Sequence, residues 1–366
     1  MQLMLRGAVI SKKDMGGNDI LFQVEDLYRI VGKENVLCDE PLSKHTTFRI
    51  GGAASYFVSP AYIEDFIEAV AYVREKQMPY FVLGNGSNLL AYDKGYDGVI
   101  LATHMSNRTV GQQNGKTALD AYQEFLPGTT KRQGFFCSAK VAGEGFTEKD
   151  LQEIDRDLQE KTVVFAGSGI MLSTMAYAIA KKGLTGFEFA GGIPGTLGGA
   201  VTMNAGAYGG EIKDCILGAG VLYPDGTVKF LSRDALSLGY RTSTVQKEKL
   251  IVLWALFAFQ SADAAETMQT LQELNQRRRE KQPLQYASAG STFKRPEGHF
   301  AGKLIEEAGL RGFRAGDVMV SEKHCGFVVN VGEGTYDDAR QVIEHVQKTV
   351  QEKFGVRLEM EVKMIE

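Results

Sequence analysis

The chain has 366 residues, 44% of them apolar, with charges of both signs. That supplies a large core divisible among two or three lobes and excludes a disordered or fibrous chain. A formal net charge of −4 and a pI near 5.9 argue against a surface built to neutralise a phosphate backbone, so nucleic acid is not an expected partner.

Cys38, Cys137, Cys215 and Cys325 are scattered and form no CxxC pair, and the histidines lack ligand spacing. Reduced thiols are expected, with neither a disulfide framework nor a metal site. Met1–Lys13 has no long apolar core and no stretch of 18 apolar residues occurs anywhere. The expectation is a cytoplasmic protein without a membrane span.

Residues 1–34 read as an N-terminal extension, with a short helix suggested by Leu21, Val24, Leu27 and Ile30. From Thr46 the pattern predicts an extended segment, Phe48-Arg49-Ile50, closed by Gly51-Gly52 and resumed at Tyr56-Phe57-Val58. Ser59 and Pro60 read as the N-cap and first residue of a helix whose apolar stripe is Ile63, Phe66, Ile67, Val70 and Val73, ended by Pro79.

A strand, Tyr80–Leu83, runs into Gly84-Asn85-Gly86-Ser87-Asn88, and a second, Thr162–Ala166, runs into Gly167-Ser168-Gly169. Neither completes GxGxxG, because Leu89 and Leu172 stand where the third glycine would pack helix against strand. A Rossmann site is therefore disfavoured. Between these strands, residues 106–160 read as an insertion with some structure of its own, ending in a charged surface helix at Glu148–Lys161.

Residues 191–210 carry eight glycines, in Gly191-Gly192-Ile193-Pro194-Gly195-Thr196-Leu197-Gly198-Gly199 and Asn204-Ala205-Gly206-Ala207-Tyr208-Gly209-Gly210. Glycine lets backbone N–H groups converge on an anion, so a phosphate cradle is favoured over plain tight turns between short strands. Two such cradles without a Rossmann fingerprint suggest a dinucleotide in another fold, with FAD the natural candidate.

Further on come a strand at Ala219–Tyr223 with a Pro224-Asp225-Gly226 turn, an apolar strand Ile251–Phe259, and a helix from Asp263 to about Glu280. The basic run Arg277–Arg279 with Lys281 reads as a solvated face ahead of a local site for a phosphorylated ligand. A boundary is placed near residue 283. The last unit holds a short helix at Leu304–Ala308, a strand at Gly326–Val331, and a helix with the stripe Ala339, Val342, Ile343, Val346 and Val350.

The segments Thr46–Gly52, Val82–Leu89, Glu188–Gly195 and Met203–Gly209 resemble, in order, the flavin-binding motifs of the UDP-N-acetylenolpyruvoylglucosamine reductase family. Tyr240-Arg241-Thr242-Ser243, Ala289–Pro296, Val320–His324 and Leu358–Val362 resemble its catalytic and substrate segments. The resemblance spans roughly residues 40–104 and 161–366. It implies an α+β fold: a two-lobed FAD-binding domain of the vanillyl-alcohol-oxidase (PCMH) type at 35–282, interrupted by the insertion, and a smaller α+β substrate domain at 283–366 whose C-terminal strand returns to the active site.

It also implies a reaction in which NADPH reduces bound FAD and the flavin then reduces UDP-N-acetylglucosamine enolpyruvate to UDP-N-acetylmuramate, a peptidoglycan precursor. A monomer is expected, although the sequence itself is silent on oligomeric state. The implied cofactor-binding residues are Gly84, Asn85, Gly86, Ser87, Asn88, Gly191, Gly192, Ile193, Pro194, Gly195, Gly198, Gly199, Asn204, Ala205 and Gly206. Three residues match catalytic positions. Arg241 would meet the charge developing on the enolate, Ser291 would donate the proton, and Glu361 would polarise the substrate carboxylate or relay a proton. Without the resemblance Ser291 reads as a turn residue.

Tyr240, Lys281 and Arg295 match positions near the sugar nucleotide, and His324 reads as a structural residue. Met360 departs from the family pattern, which commonly has proline there, and so leaves the register of Glu361 open. Another FAD oxidoreductase of the same fold, or a non-catalytic relative, remains an alternative.

Overall fold

A computed structural model describes residues 10–13, 19–103, 148, 149, 152, 156, 157 and 161–366. Almost all of the expected insertion at 106–160 lies outside the described residues.

The first lobe is a sheet ordered Val36–Pro41, Ala53–Val58, Tyr96–Ala102, Tyr80–Leu83, antiparallel in its first pair and parallel in the other two. The helix Ile63–Glu75 covers it with Phe66, Ala69, Val70, Tyr72 and Val73 buried. That stripe follows the expected spacing, but the helix starts at Ile63, not at Pro60. The reason is local: Ser59 N–H donates to the Asn35 carbonyl at 2.8 Å, which holds the chain in the strand's exit rather than in a cap. From the N-terminal segment, Phe22, Leu27 and Val31 join Tyr56, Val58, Phe66 and Val70 in one core.

Phe48-Arg49-Ile50 is a turn and not the extended segment expected. Arg49 N–H donates to Thr46 O at 3.2 Å, and Arg49 has φ 57°. The turn drives Phe48 and Ile50 into the core of the C-terminal unit, a long-range gain of about 1.5–3 kcal/mol per side chain that local β preference does not register.

The second lobe is antiparallel, ordered Val228–Ser232, Ile216–Leu222, Ile251–Ser261, Thr162–Gly167. Its central strand is buried from Ile251 to Phe257 because it serves two cores. Leu253 and Trp254 face the core shared with the first lobe, while Val252, Ala255 and Phe257 belong to a second core that also takes in the buried face of the helix Leu172–Lys181. The glycine-rich stretch forms a 3₁₀ turn, Glu188–Gly192, and a short helix, Leu197–Met203.

The C-terminal unit is a sheet ordered Ala287–Ser291, Phe327–Asn330, Val318–Val320, Arg314–Ala315. The helix Tyr336–Phe354 covers it with Ala339, Val342, Ile343, Val346 and Val350 buried, as the stripe predicts. Beyond it the chain returns, and Lys363–Ile365 pairs in parallel with Leu89–Ala91 of the first lobe. Thr47 Oγ1 donates to Ser288 O at 2.7 Å and Asn330 Nδ2 to Phe48 O at 3.3 Å. The unit is thereby fastened beside the Gly84–Asn88 turn. Among the described residues no helix is long and apolar enough to cross a membrane.

Candidate active site

Both glycine-rich turns open onto one cavity of about 400 Å³. Gly84, Asn85, Gly86, Ser87 and Asn88 line it from the first lobe, and Ile193, Pro194, Gly195, Gly198, Gly199, Ala205 and Gly206 from the second. Asn85 Nδ2 donates to Pro194 O at 2.6 Å and joins the two turns. Gly86 has φ 61°, and a Cβ there would stand 2.1 Å from His45 O, so no other residue fits. At the helix Leu197–Met203 the first amides carry no side-chain cap.

Arg241, Ser291 and Glu361 line the same cavity. Arg241 sits in a tight turn closed by Gly239 N–H to Thr242 O at 3.0 Å, with φ 53°. A non-glycine residue in that region costs about 1–3 kcal/mol, a strain that collects at functional sites. Ser243, two residues on, caps the helix Thr244–Lys247 and donates its Oγ–H to Thr202 O at 2.7 Å, which pins the turn to the glycine-rich helix.

Arg241 Nε donates to Glu361 Oε1 at 2.5 Å. Burial raises the Glu361 pKa above the ordinary carboxylate value, and the nearby Arg241 and then Lys294 oppose it. The register of Glu361 follows from Met360 pairing with Phe293. Glu361 N–H donates to Thr292 O at 2.9 Å and Lys294 N–H to Glu359 O at 2.8 Å. Neither bond uses the amide of Met360, so a residue with or without that N–H can occupy the position. Ser291 ends a strand bent by a bulge between Ser288 and Ser291, with Gly290 at φ 79°.

A family model described as the UDP-N-acetylenolpyruvoylglucosamine reductase C-terminal domain matches residues 282–365, and an FAD-binding domain model matches residues 147–232. The UDP-N-acetylenolpyruvoylglucosamine reductase of Lachnoclostridium phytofermentans is 46% identical over 95% of this chain and 98% of its own. The reductase of the same name from Agathobacter rectalis is 45% identical over 90% of this chain and 94% of its own. The chain belongs to the UDP-N-acetylenolpyruvoylglucosamine reductase family. A crystal structure of the Thermus caldophilus reductase superposes with a TM-score of 0.64 at 28% identity, covering 90% of this chain and 98% of that one. The expected α+β flavoprotein fold is the one found.

The residues present fit FAD, the family's cofactor. Thr196 Oγ1 and Ser168 Oγ are buried without a hydrogen-bond partner among the described residues, and Thr196 lines the cavity. Buried hydroxyls are ordinarily satisfied, so a polar ligand is the natural partner at Thr196. Gly84 keeps that hydroxyl accessible, since a Cβ there would lie 2.4 Å from Thr196 Oγ1.

Other residues expected at the flavin lie behind the wall. Gly191 abuts Leu271 and Gly192 abuts Arg278, with no room for a Cβ at either. Asn204 is fully buried at φ 44°. Its Nδ2 donates to Glu211 Oε2 at 2.9 Å and Gly239 O at 3.1 Å, and its Oδ1 accepts from Lys213 N–H at 3.0 Å. It therefore organises three loops rather than touching the cavity.

Tyr240 and Arg295 line a second cavity of about 750 Å³ with Lys294, His299, Arg357 and Glu359. Tyr240 Oη accepts from Arg295 N–H at 3.1 Å. Lys281 is exposed at the end of the helix Ala264–Lys281. His324, expected to be a structural residue, accepts at Nδ1 from Gly326 N–H at 3.1 Å.

Sequence reasoning missed Arg278, Gln282 and Lys363, all lining the first cavity. Burial, then Lys294, lowers the Lys363 pKa. With the Gln246 amide oriented to satisfy both neighbours, it donates to Arg241 O at 3.2 Å and accepts from Lys363 Nζ at 3.0 Å. Lys363 is thus coupled to the strained Arg241 backbone.

Proposed function

We propose that this chain reduces UDP-N-acetylglucosamine enolpyruvate to UDP-N-acetylmuramate with NADPH, through bound FAD, in peptidoglycan precursor synthesis. The observation that carries the reading is one cavity lined at once by the two glycine turns and by Arg241, Ser291 and Glu361. Residues 35–282 serve as the FAD-binding domain and 283–366 as the substrate domain. A monomer is the reading adopted, since among the described residues a single chain supplies both glycine turns, Arg241, Ser291 and Glu361. A cytoplasmic setting suits the free thiols of Cys38, Cys215 and Cys325.

FAD held by the two glycine turns would supply the hydride chemistry, with NADPH as the reductant. Hydride arrival at the outer vinyl carbon of the enol ether leaves negative charge on the adjacent carbon and its carboxylate. The guanidinium of Arg241 is positioned beforehand for that charge, and preorganised charge needs no rearrangement as the reaction proceeds. Glu361 occupies Nε and Gly206 O accepts from Nη2 at a long 3.5 Å, which leaves Nη1 foremost for the substrate carboxylate. Ser291 Oγ then gives its proton to the charged carbon and regains one from solvent.

Tyr240 and Arg295 receive the nucleotide diphosphate in the second cavity, where Lys294 and Arg357 add positive charge beside Glu297 and Glu359; Lys281, outside that lining, would meet it from the end of its helix. The decisive experiment is an absorbance spectrum of the purified protein followed by an NADPH oxidation assay. Flavin absorbance and NADPH oxidation that requires the enol ether are expected. A colourless protein that takes up no FAD, or oxidation indifferent to the enol ether, would sink the reading.

A further inference from the structure

The basic run at the end of the helix Ala264–Lys281 is not uniformly solvated. Arg277 and Arg279 are exposed, but Arg278 is half-buried and lines the first cavity together with Gln282, one turn further on. Gln282 caps the end of this helix in an extended conformation, and its N–H donates to Arg278 O at 2.9 Å, which holds the two residues together. The helix face that carries Arg278 is anchored behind by Leu271, fully buried, and by Asn275, whose Nδ2 donates to Tyr177 Oη at 3.1 Å. Gly192 gives Arg278 its passage, since a Cβ there would stand 2.8 Å from Arg278 Cδ.

Neither side chain is satisfied within the protein. Among the described residues no carboxylate or carbonyl accepts from the Arg278 guanidinium, although burial depresses its pKa and disfavours the charge. Gln282 Oε1 is buried without a donor. A ligand that offers an acceptor to Arg278 and a donor to Gln282 Oε1 would satisfy both at once. A diphosphate offers only acceptors at neutral pH and would meet Gln282 only through Nε2, leaving the buried Oε1 without a donor in the orientation it holds here. An imide edge, with an N–H flanked by carbonyls, satisfies both.

We propose that Arg278 and Gln282 bind the imide edge of the flavin's pyrimidine ring, the guanidinium on its C2 carbonyl and N1, the amide oxygen on its N3–H. The assignment rests on the FAD reading above. A uracil base carries the same edge. The flavin is the assigned source because both residues share the cavity of the glycine turns, Arg241, Ser291 and Glu361, and not the second cavity at Tyr240 and Arg295. Two-electron reduction places negative charge on that edge, so Arg278 favours the reduced cofactor and makes NADPH a more effective donor.

The test uses flavin-loaded wild-type, Arg278→Met and Arg278→Lys proteins. Two quantities are read: the midpoint potential of the flavin, and the affinity for UDP followed by flavin fluorescence. Arg278→Met is expected to disfavour the reduced flavin about tenfold, a drop of about 30 mV for a two-electron couple, with UDP affinity unchanged. Arg278→Lys should recover most of that drop. An unchanged potential in Arg278→Met overturns the assignment, and lost UDP affinity at unchanged potential overturns it in favour of uracil. Where Arg278→Met fails to hold flavin, Gln282→Leu decides: a several-fold weaker affinity of its apoprotein for FAD supports the proposal, and an unchanged affinity overturns it. A wild-type protein that binds no FAD refutes the functional reading itself, a distinct result.

Discussion

Arg241 Nε and Glu361 Oε1 meet at 2.5 Å across 120 positions of sequence. The guanidinium projects from a strained turn of the second lobe, and the carboxylate from a segment that the C-terminal unit lays against the Gly84–Asn88 turn, where Asn88 Nδ2 donates to Glu361 O at 3.0 Å. The pair therefore reports whether the second lobe and the C-terminal unit are assembled.

Because each member orients the other, their effects on catalysis should not add. Arg241→Met and Glu361→Gln are each expected to slow reoxidation of the reduced flavin by the enol ether by about 10²–10³-fold. The double variant should be no slower than the worse single one. Single-turnover reoxidation followed at the flavin band measures all three, and independent multiplication of the two losses would show that the contact is not a functional unit.

Ser291→Ala should separate the half-reactions. Nothing in flavin reduction requires the hydroxyl, so NADPH is expected to bleach the variant at the wild-type rate. Reoxidation by the enol ether should fall by about 10²–10⁴-fold, the usual contribution of a positioned acid. Survival of both steps near wild-type rates would remove Ser291 from the mechanism.

His324 predicts an acid-side loss of stability. Burial lowers its pKa below the ordinary 6.5, and Nδ1 is committed as an acceptor to Gly326 N–H. A depressed folded-state pKa means that the unfolded chain binds the proton more readily. The stabilisation from neutral His324 is thus complete above 6.5 and is lost as pH falls through the lowered value. His324→Asn, which can keep an acceptor near Gly326, should show a flatter decline of Tm below that pH than the wild type. Parallel declines in the two proteins would exclude His324 as the source.

The fold was legible where one face of an element meets one core. The stripes beginning at Ile63 and Ala339 repeat every three or four residues because each helix rests on a single sheet. Phe48-Arg49-Ile50 was misread because its conformation answers to partners far along the chain: Asn330, whose Nδ2 reaches Phe48 O, is 282 residues away. In the site, the glycine turns stood out because missing side chains are visible in a sequence. Arg278 did not, since a cation among exposed cations carries no local mark of its burial. Lys363 did leave a signal: two residues beyond Glu361 in an extended segment, it points to the same side.

Gly220 carries the last prediction, on stability. A Cβ at this position would lie 2.1 Å from Trp254 Cε2, and Gly220 is the cross-strand partner of Trp254 in the central sheet. The indole is fully buried and stacks near Phe165 and Phe230, with centroids at 5.0 and 5.9 Å. A buried indole held between two rings cannot retreat without displacing them, so the added methyl has to be accommodated by backbone movement. Gly220→Ala is expected to cost about 1–3 kcal/mol through overpacking. Gly226→Ala gives the contrast. Gly226 has φ 86° but open space around its Cβ, so its cost comes from backbone strain alone, about 1–2 kcal/mol. The added substitution Trp254→Phe discriminates between the two causes in denaturant melts. It should restore part of the stability lost in Gly220→Ala, by vacating space, and none of that lost in Gly226→Ala. Equal failure to rescue both would mean that Gly220 is required for its backbone and not for the room it gives the indole.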